Sequence, residues 1–101
     1  MIIFNTTYLV ARHQENNFLQ RVKNVHASMI QGNPLVSQCR LFKVLAENPE
    51  GISYSFQIEA DSVSMMNEFK KRYQDEIGNR ITNGFGEDVL SFSTYLKEHE
   101  L

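Results

Sequence analysis

The chain has 101 residues, 42% hydrophobic and 22% charged, with ten Lys+Arg against twelve Asp+Glu for a net charge of −2. That length holds one domain, 1–101, with a modest core. The slight acid excess argues against a general nucleic-acid binder, which needs a basic face to neutralise phosphates.

Residues 2–11 read as a strand rich in β-branched and aromatic types. Ile2, Phe4, Thr6, Tyr8 and Val10 share one face; Ile3, Asn5, Thr7, Leu9 and Ala11 share the other. Apolar residues on both faces describe a central strand. Residues 14–31 read as a helix, with Phe18, Val22, Val25 and Met29 at helical spacing. Gly32 ends it, with Pro34 just beyond. Residues 35–46 are extended. Asn48-Pro49-Glu50-Gly51 is a turn signal that makes a hairpin with the next strand. In that strand Ile52, Tyr54, Phe56 and Ile58 alternate with Ser53, Ser55, Gln57 and Glu59. Asp61 or Ser62 caps a second helix over 63–82, whose stripe is Met66, Phe69, Tyr73, Ile77 and Ile81. Asn83-Gly84-Phe85-Gly86 breaks it. Residues 88–97 form the last strand, with Leu90, Phe92, Thr94 and Leu96 opposite Val89, Ser91, Ser93 and Tyr95.

The order is β-α-β-β-α-β, the α+β ferredoxin-like sandwich. Right-handed crossovers put both helices on one face of a four-stranded antiparallel sheet. The first and third strands are central. The expected core joins Phe4, Phe18, Val22, Met29, Tyr54, Phe56, Phe69, Tyr73 and Phe92.

On this reading the other sheet face carries Asn5, Thr7, Ser53, Ser55, Gln57, Ser91, Ser93 and Tyr95, with Ile3, Leu9 and Val89. An ordinary solvated face carries more Lys and Glu. The expectation is a homodimer, two copies packing these faces across a twofold axis. Hydroxyls and amides then line a cavity for a small polar ligand. The same face argues against RNA recognition, because Ser53, Ser55 and Gln57 stand where stacking aromatics are needed. An acylphosphatase loop is also missing: Ala11-Arg12-His13-Gln14-Glu15 has no glycine.

His26, on the edge of the first helical stripe, is the one candidate catalytic residue, since a histidine titrates near neutral pH. No second His or carboxylate is spaced to help it, so a packing role is the simpler reading. Cys39 beside Arg40 suggests an activated thiol. Adjacent strand residues point to opposite faces, however, which favours an inert, packed cysteine. Lys70-Lys71-Arg72 is balanced by Glu68, Asp75 and Glu76 and reads as a solvated helix face. No metal site and no cofactor are expected. One cysteine cannot close an internal disulfide. The start Met1-Ile2-Ile3-Phe4-Asn5 lacks a signal peptide's basic region and long apolar run. No stretch has the length of a membrane span. A cytoplasmic protein is the expectation.

The start Met1-Ile2-Ile3-Phe4-Asn5-Thr6-Thr7 resembles a family of short bacterial proteins of unknown function that open Met-Ile-Ile-Tyr-Asn. The resemblance continues through Phe18-Leu19, His26, Cys39-Arg40-Leu41, Gly51-Ile52-Ser53-Tyr54-Ser55 and Phe85-Gly86-Glu87, over nearly the whole chain. It implies the dimeric α/β-barrel group and carries no activity with it. Ala27-Ser28 follows His26 where an Ile-Pro pair is usual, and Phe18 stands where Trp is common. More distant dimeric barrels include haem-degrading and cofactor-free monooxygenases, a link of fold alone.

Two functions compete. The first is a non-catalytic self-associating module that binds a small polar ligand between paired sheets. The second is a small dimeric-barrel enzyme of the monooxygenase or isomerase kind using His26. The lack of an acid–base constellation favours the module.

Overall fold

The elements follow the expected β-α-β-β-α-β order in the computed structural model, which describes residues 1–101 throughout. The strands are β1 (Ile2–Val10), β2 (Gln38–Lys43), β3 (Ile52–Ala60) and β4 (Val89–Lys97). They form one antiparallel sheet in the order β2-β3-β1-β4. The first and third strands are therefore central.

The first helical rod begins with a tight turn, Arg12–Gln14, continues as α1 (Glu15–Val25) and ends in a wide π turn, His26–Ile30. The second is α2 (Val63–Phe69), a π turn Lys70–Gln74 and α3 (Asp75–Thr82), without a break. The wide turns have a sequence cause. Val22, His26 and Ile30, and likewise Phe69, Tyr73, Ile77 and Ile81, recur every fourth residue. A 3.6-residue helix would rotate such a row by about 40° per step. A π turn holds more residues and brings the row back toward the sheet.

Local signals act where expected. Ser62 caps α2, its Oγ accepting from the Met65 amide at 3.1 Å. In the hairpin the Asn48 side-chain oxygen accepts from the Glu50 amide at 2.9 Å. Gly51 has a packing reason: a Cβ there would lie 2.3 Å from the Val10 carbonyl oxygen. Gly32 ends the first rod at φ +77°.

The core lies between the sheet and the two rods. Phe18 and Phe69 are fully enclosed, and Tyr8 and Tyr54 flank Phe18 at centroid distances of 5.2 and 5.6 Å. Met29 and Tyr73 are half-buried and pack on the core's rim.

The last strand corrects the sequence reading. Antiparallel partners place their side chains on one face. Phe4 pairs with Tyr95, Thr6 with Ser93, Tyr8 with Ser91 and Val10 with Val89. Val89, Ser91, Ser93 and Tyr95 therefore look toward the helices, and Leu90, Phe92, Thr94 and Leu96 lie on the open face. Phe92, expected in the core, is 65% exposed. The expectation took the more apolar parity of β4 to be the helix side. The register is instead set at the start of the strand. There the Ala11 amide donates to the Asp88 carbonyl at 2.8 Å, and Val89 is buried beside Val10.

Candidate functional site

The open face of the sheet gathers Asn5, Thr7, Ser53, Ser55 and Gln57 on the two central strands. They make a local network. Ser55 Oγ donates to Asn5 Oδ1 at 2.6 Å, and Gln57 Nε2 donates to Ser55 Oγ at 3.3 Å. Beside this polar strip runs an apolar band in which Ile3 pairs with Leu96 and Leu9 with Leu90. Leu90 and Leu96 are 54% and 46% exposed, like Phe92 without cover. On the far edge Phe42 is 46% exposed under the Arg40 guanidinium. The face thus has a hydrogen-bonded centre between two apolar margins.

Ser91, Ser93 and Tyr95 were expected on that face. They line the other side of β4 instead, where α3 stands back from the strand and leaves a cleft of about 340 Å³. Phe4, Phe56, Ile58 and Ile77 form its apolar floor. Thr6, Tyr8, Ser91 and Ser93 bring hydroxyls from the sheet, and Gln74, Asp75, Gly78 and Asn79 form the helix wall. Thr6 is the one buried polar residue of the chain, and its hydroxyl lies 2.9 Å from that of Ser93. Tyr95 stacks on Phe4 at 5.1 Å and donates its hydroxyl to Gln74, tying β4 to the helix. Burial pushes the Tyr8 phenol up to about 12, against a smaller opposing effect of the Thr6 hydroxyl.

The sequence reading puts Ser91 and Ser93 on the open face, and names none of Thr6, Tyr8, Gln74 and Asn79 as site residues. Two signals were available. Thr6 is a polar residue in the apolar parity of β1, and Gly78 sits inside a helix, where glycine costs about 0.5–1 kcal/mol against alanine. A Cβ on Gly78 would meet nothing within 4 Å.

His26 lies elsewhere. It lines a separate groove of about 260 Å³ between α1 and β2, with Val22, Lys23, Cys39, Leu41 and Phe56. This groove shares only Phe56 with the cleft and has no carboxylate in its lining. Burial pushes the Cys39 thiol up to about 12, the opposite of activation. Nearby, the Tyr54 hydroxyl donates to Glu15 Oε2 at 2.5 Å, and Lys43 Nζ approaches the same oxygen at 3.1 Å. These two bonds hold the Glu15 carboxyl below its usual range and clasp α1 to the hairpin. In the basic run, Arg72 pairs with Glu68 one turn away at 2.5 Å, as a solvated helix face would. No group of three His, Cys, Asp or Glu side chains is placed to hold a metal ion. No helix is long and apolar enough to cross a membrane.

Fold and faces together define a ferredoxin-like domain with one helix-covered and one open sheet face. The chain belongs to the DUF4286 family, a domain of unknown function whose sequence profile matches residues 1–99. The curated proteins contain no match. Solved structures share the fold at low identity. A proposed antibiotic biosynthesis monooxygenase from Deinococcus radiodurans is similar with TM-score 0.73 and 11% identity, covering 100% of this chain and 95% of that one. An ethyl tert-butyl ether D (EthD) family protein from Bacillus halodurans has TM-score 0.70 and 13% identity, covering 98% and 100%. A dimeric ferredoxin-like protein of unknown function from Thermobifida fusca has TM-score 0.56 and 8% identity, covering 94% and 92%.

Proposed function

We propose that the protein is a homodimeric small-molecule-binding module. Its open sheet faces pack together, and its ligand lies in the cleft between β4 and α3. The observation that carries the reading is the apolar band of β4. Leu90, Phe92 and Leu96 share one face of one strand, each about half exposed or more. A contiguous apolar patch rimmed by polar groups marks an interaction site. A second copy covers it symmetrically, and the network of Asn5, Ser55 and Gln57 enters the interface already hydrogen-bonded. Two solved structures of the same fold are described as dimeric, which supports pairing of copies without fixing the face. The cleft supplies what a ligand site needs, an apolar floor with a few convergent polar groups.

Sedimentation at micromolar concentration tests the dimer. The expected mass is twice the 11.7 kDa of the chain. Phe92→Asp should give a folded monomer with an unchanged circular dichroism spectrum. A wild-type monomer would overturn the reading.

A neighbour proposed as a monooxygenase favours a second reading, an oxygen-using enzyme. In that case Tyr8 is the proton donor in the cleft and His26, in the other groove, is a bystander. Oxygen uptake with a hydroquinone, above the uncatalysed rate and lost in Tyr8→Phe but not in His26→Gln, would favour the enzyme. No uptake would favour the module.

A further inference from the structure

We propose that the cleft between β4 and α3 selects a small organic amine, held by its ammonium at Asp75. This rests on the cleft being the ligand site. Asp75 is the only charged residue in the lining, and no Lys, Arg or His joins it. An anionic ligand would meet a carboxylate there and no cation. An ammonium carries three donors and no acceptor. Around Asp75 it finds acceptors in Gln74 and Asn79, and in the serine hydroxyls across the cleft.

Asp75 is also free to take such a partner. Of the twelve carboxylate side chains, Glu15, Glu68, Glu76 and Asp88 pair with a basic side chain at 2.5–3.3 Å; Asp75, exposed at the rim of the cleft, is one of the eight that do not. Asp75 makes no ion pair, although Lys71 stands one helical turn before it. Burial raises the Tyr95 phenol, and the Asp75 charge adds a smaller push in the same direction. Beyond the charged end the floor is Phe4, Tyr8, Phe56, Ile58 and Ile77. That surface suits an apolar body, and aromatic faces also attract cations. Gly78, three residues along α3, leaves the wall open between the two ends. At about 340 Å³ the cleft lies at the small end of ligand pockets. Such pockets run from about 300 to 1,000 Å³, so the fit is to a single-ring or short-chain amine.

Three probes of one shape separate charge from shape: benzylamine, benzyl alcohol and benzoate, each titrated into the full chain and followed by NMR. Benzylamine should shift the Thr6, Asn79 and Ser93 signals and bind about tenfold more tightly than benzoate. Asp75→Asn should weaken benzylamine about fivefold, as loss of a solvent-accessible ion pair does, and leave benzyl alcohol unchanged. Equal binding of benzoate and benzylamine would overturn the amine assignment while leaving the cleft as a site. So would an Asp75→Asn variant that weakens all three probes alike. If no probe shifts the cleft signals, the cleft reading falls with it.

Discussion

The hydroxyls of Thr6 and Ser93 meet at 2.9 Å across β1 and β4. This single bond marks the side of β4 that looks at the helices. Thr6 is buried, so removing its partner strands a hydroxyl at a cost of about 1–3 kcal/mol. Removing both hydroxyls should cost much less. In urea unfolding, Ser93→Ala and Thr6→Val should each destabilise, and the double variant should fall short of their sum by about 0.5–1.5 kcal/mol. Strictly additive losses would mean that the two hydroxyls do not share a bond.

Two phenylalanines of opposite environment give a second test. Phe56 is 3% exposed in the core and Phe92 is 65% exposed on the open face. Phe56→Ala should cost about 3–5 kcal/mol through the lost burial and the cavity. Phe92→Ala should change the unfolding free energy of an isolated protomer by less than about 0.5 kcal/mol. Its effect should appear in the dimer dissociation constant instead. A large loss of protomer stability in Phe92→Ala would return that ring to the core.

What was legible in the residues was what local chemistry decides. Gly32, the Asn48–Gly51 turn and the Ser62 cap each act within a few positions, and all three sit at the ends the sequence assigns. Alternation placed β1 and β3 correctly because their apolar parity meets the helices. β4 defeated the same rule because two of its surroundings are dry or half-dry. One is the core beside Val89, and the other is the open face beside Leu90 and Phe92. Parity reports that a face avoids water, and only pairing with β1 reports which face it is. The cleft was illegible for a related reason. It is a gap between α3 and β4, and no run of residues encodes the distance between two elements far apart in the chain.

Gly78 offers a stability gain that isolates its role in the cleft. Its backbone is helical, with no positive φ, and a Cβ would point into open space. Gly78→Ala should therefore stabilise the chain by about 0.5–1 kcal/mol. At roughly 4–8 °C per kcal/mol for a domain of this size, the melting temperature should rise by several degrees. A ring at the same place should fill the cleft, so Gly78→Phe should fold yet lose benzylamine binding. A melting temperature lowered by Gly78→Ala would show that the wall is packed there and that the cleft is closed.

Alkaline pH should unfold the protein through its buried phenols and thiol. Tyr8 and Tyr54 are each raised from 10.0 to about 12, first by burial; Glu15 adds to the effect at Tyr54. Cys39 is raised from 9.0 to about 12 by burial alone. Each group holds its proton more tightly in the folded chain than in the unfolded one. The unfolded state therefore loses protons first as pH rises. The stability these groups contribute is fully present below about pH 9, shrinks from there upward, and is gone once the pH passes about 12. Ultraviolet titration should show Tyr8 and Tyr54 ionising only together with loss of the near-ultraviolet circular dichroism signal. In the same window Cys39 should become reactive toward a thiol reagent that does not touch it at neutral pH. Tyr8→Phe removes one of the three groups and should flatten the decline between pH 10 and 12 measurably. Tyrosine ionisation complete by pH 10 in a protein still folded would show that Tyr8 is open to water, and with it the floor of the cleft.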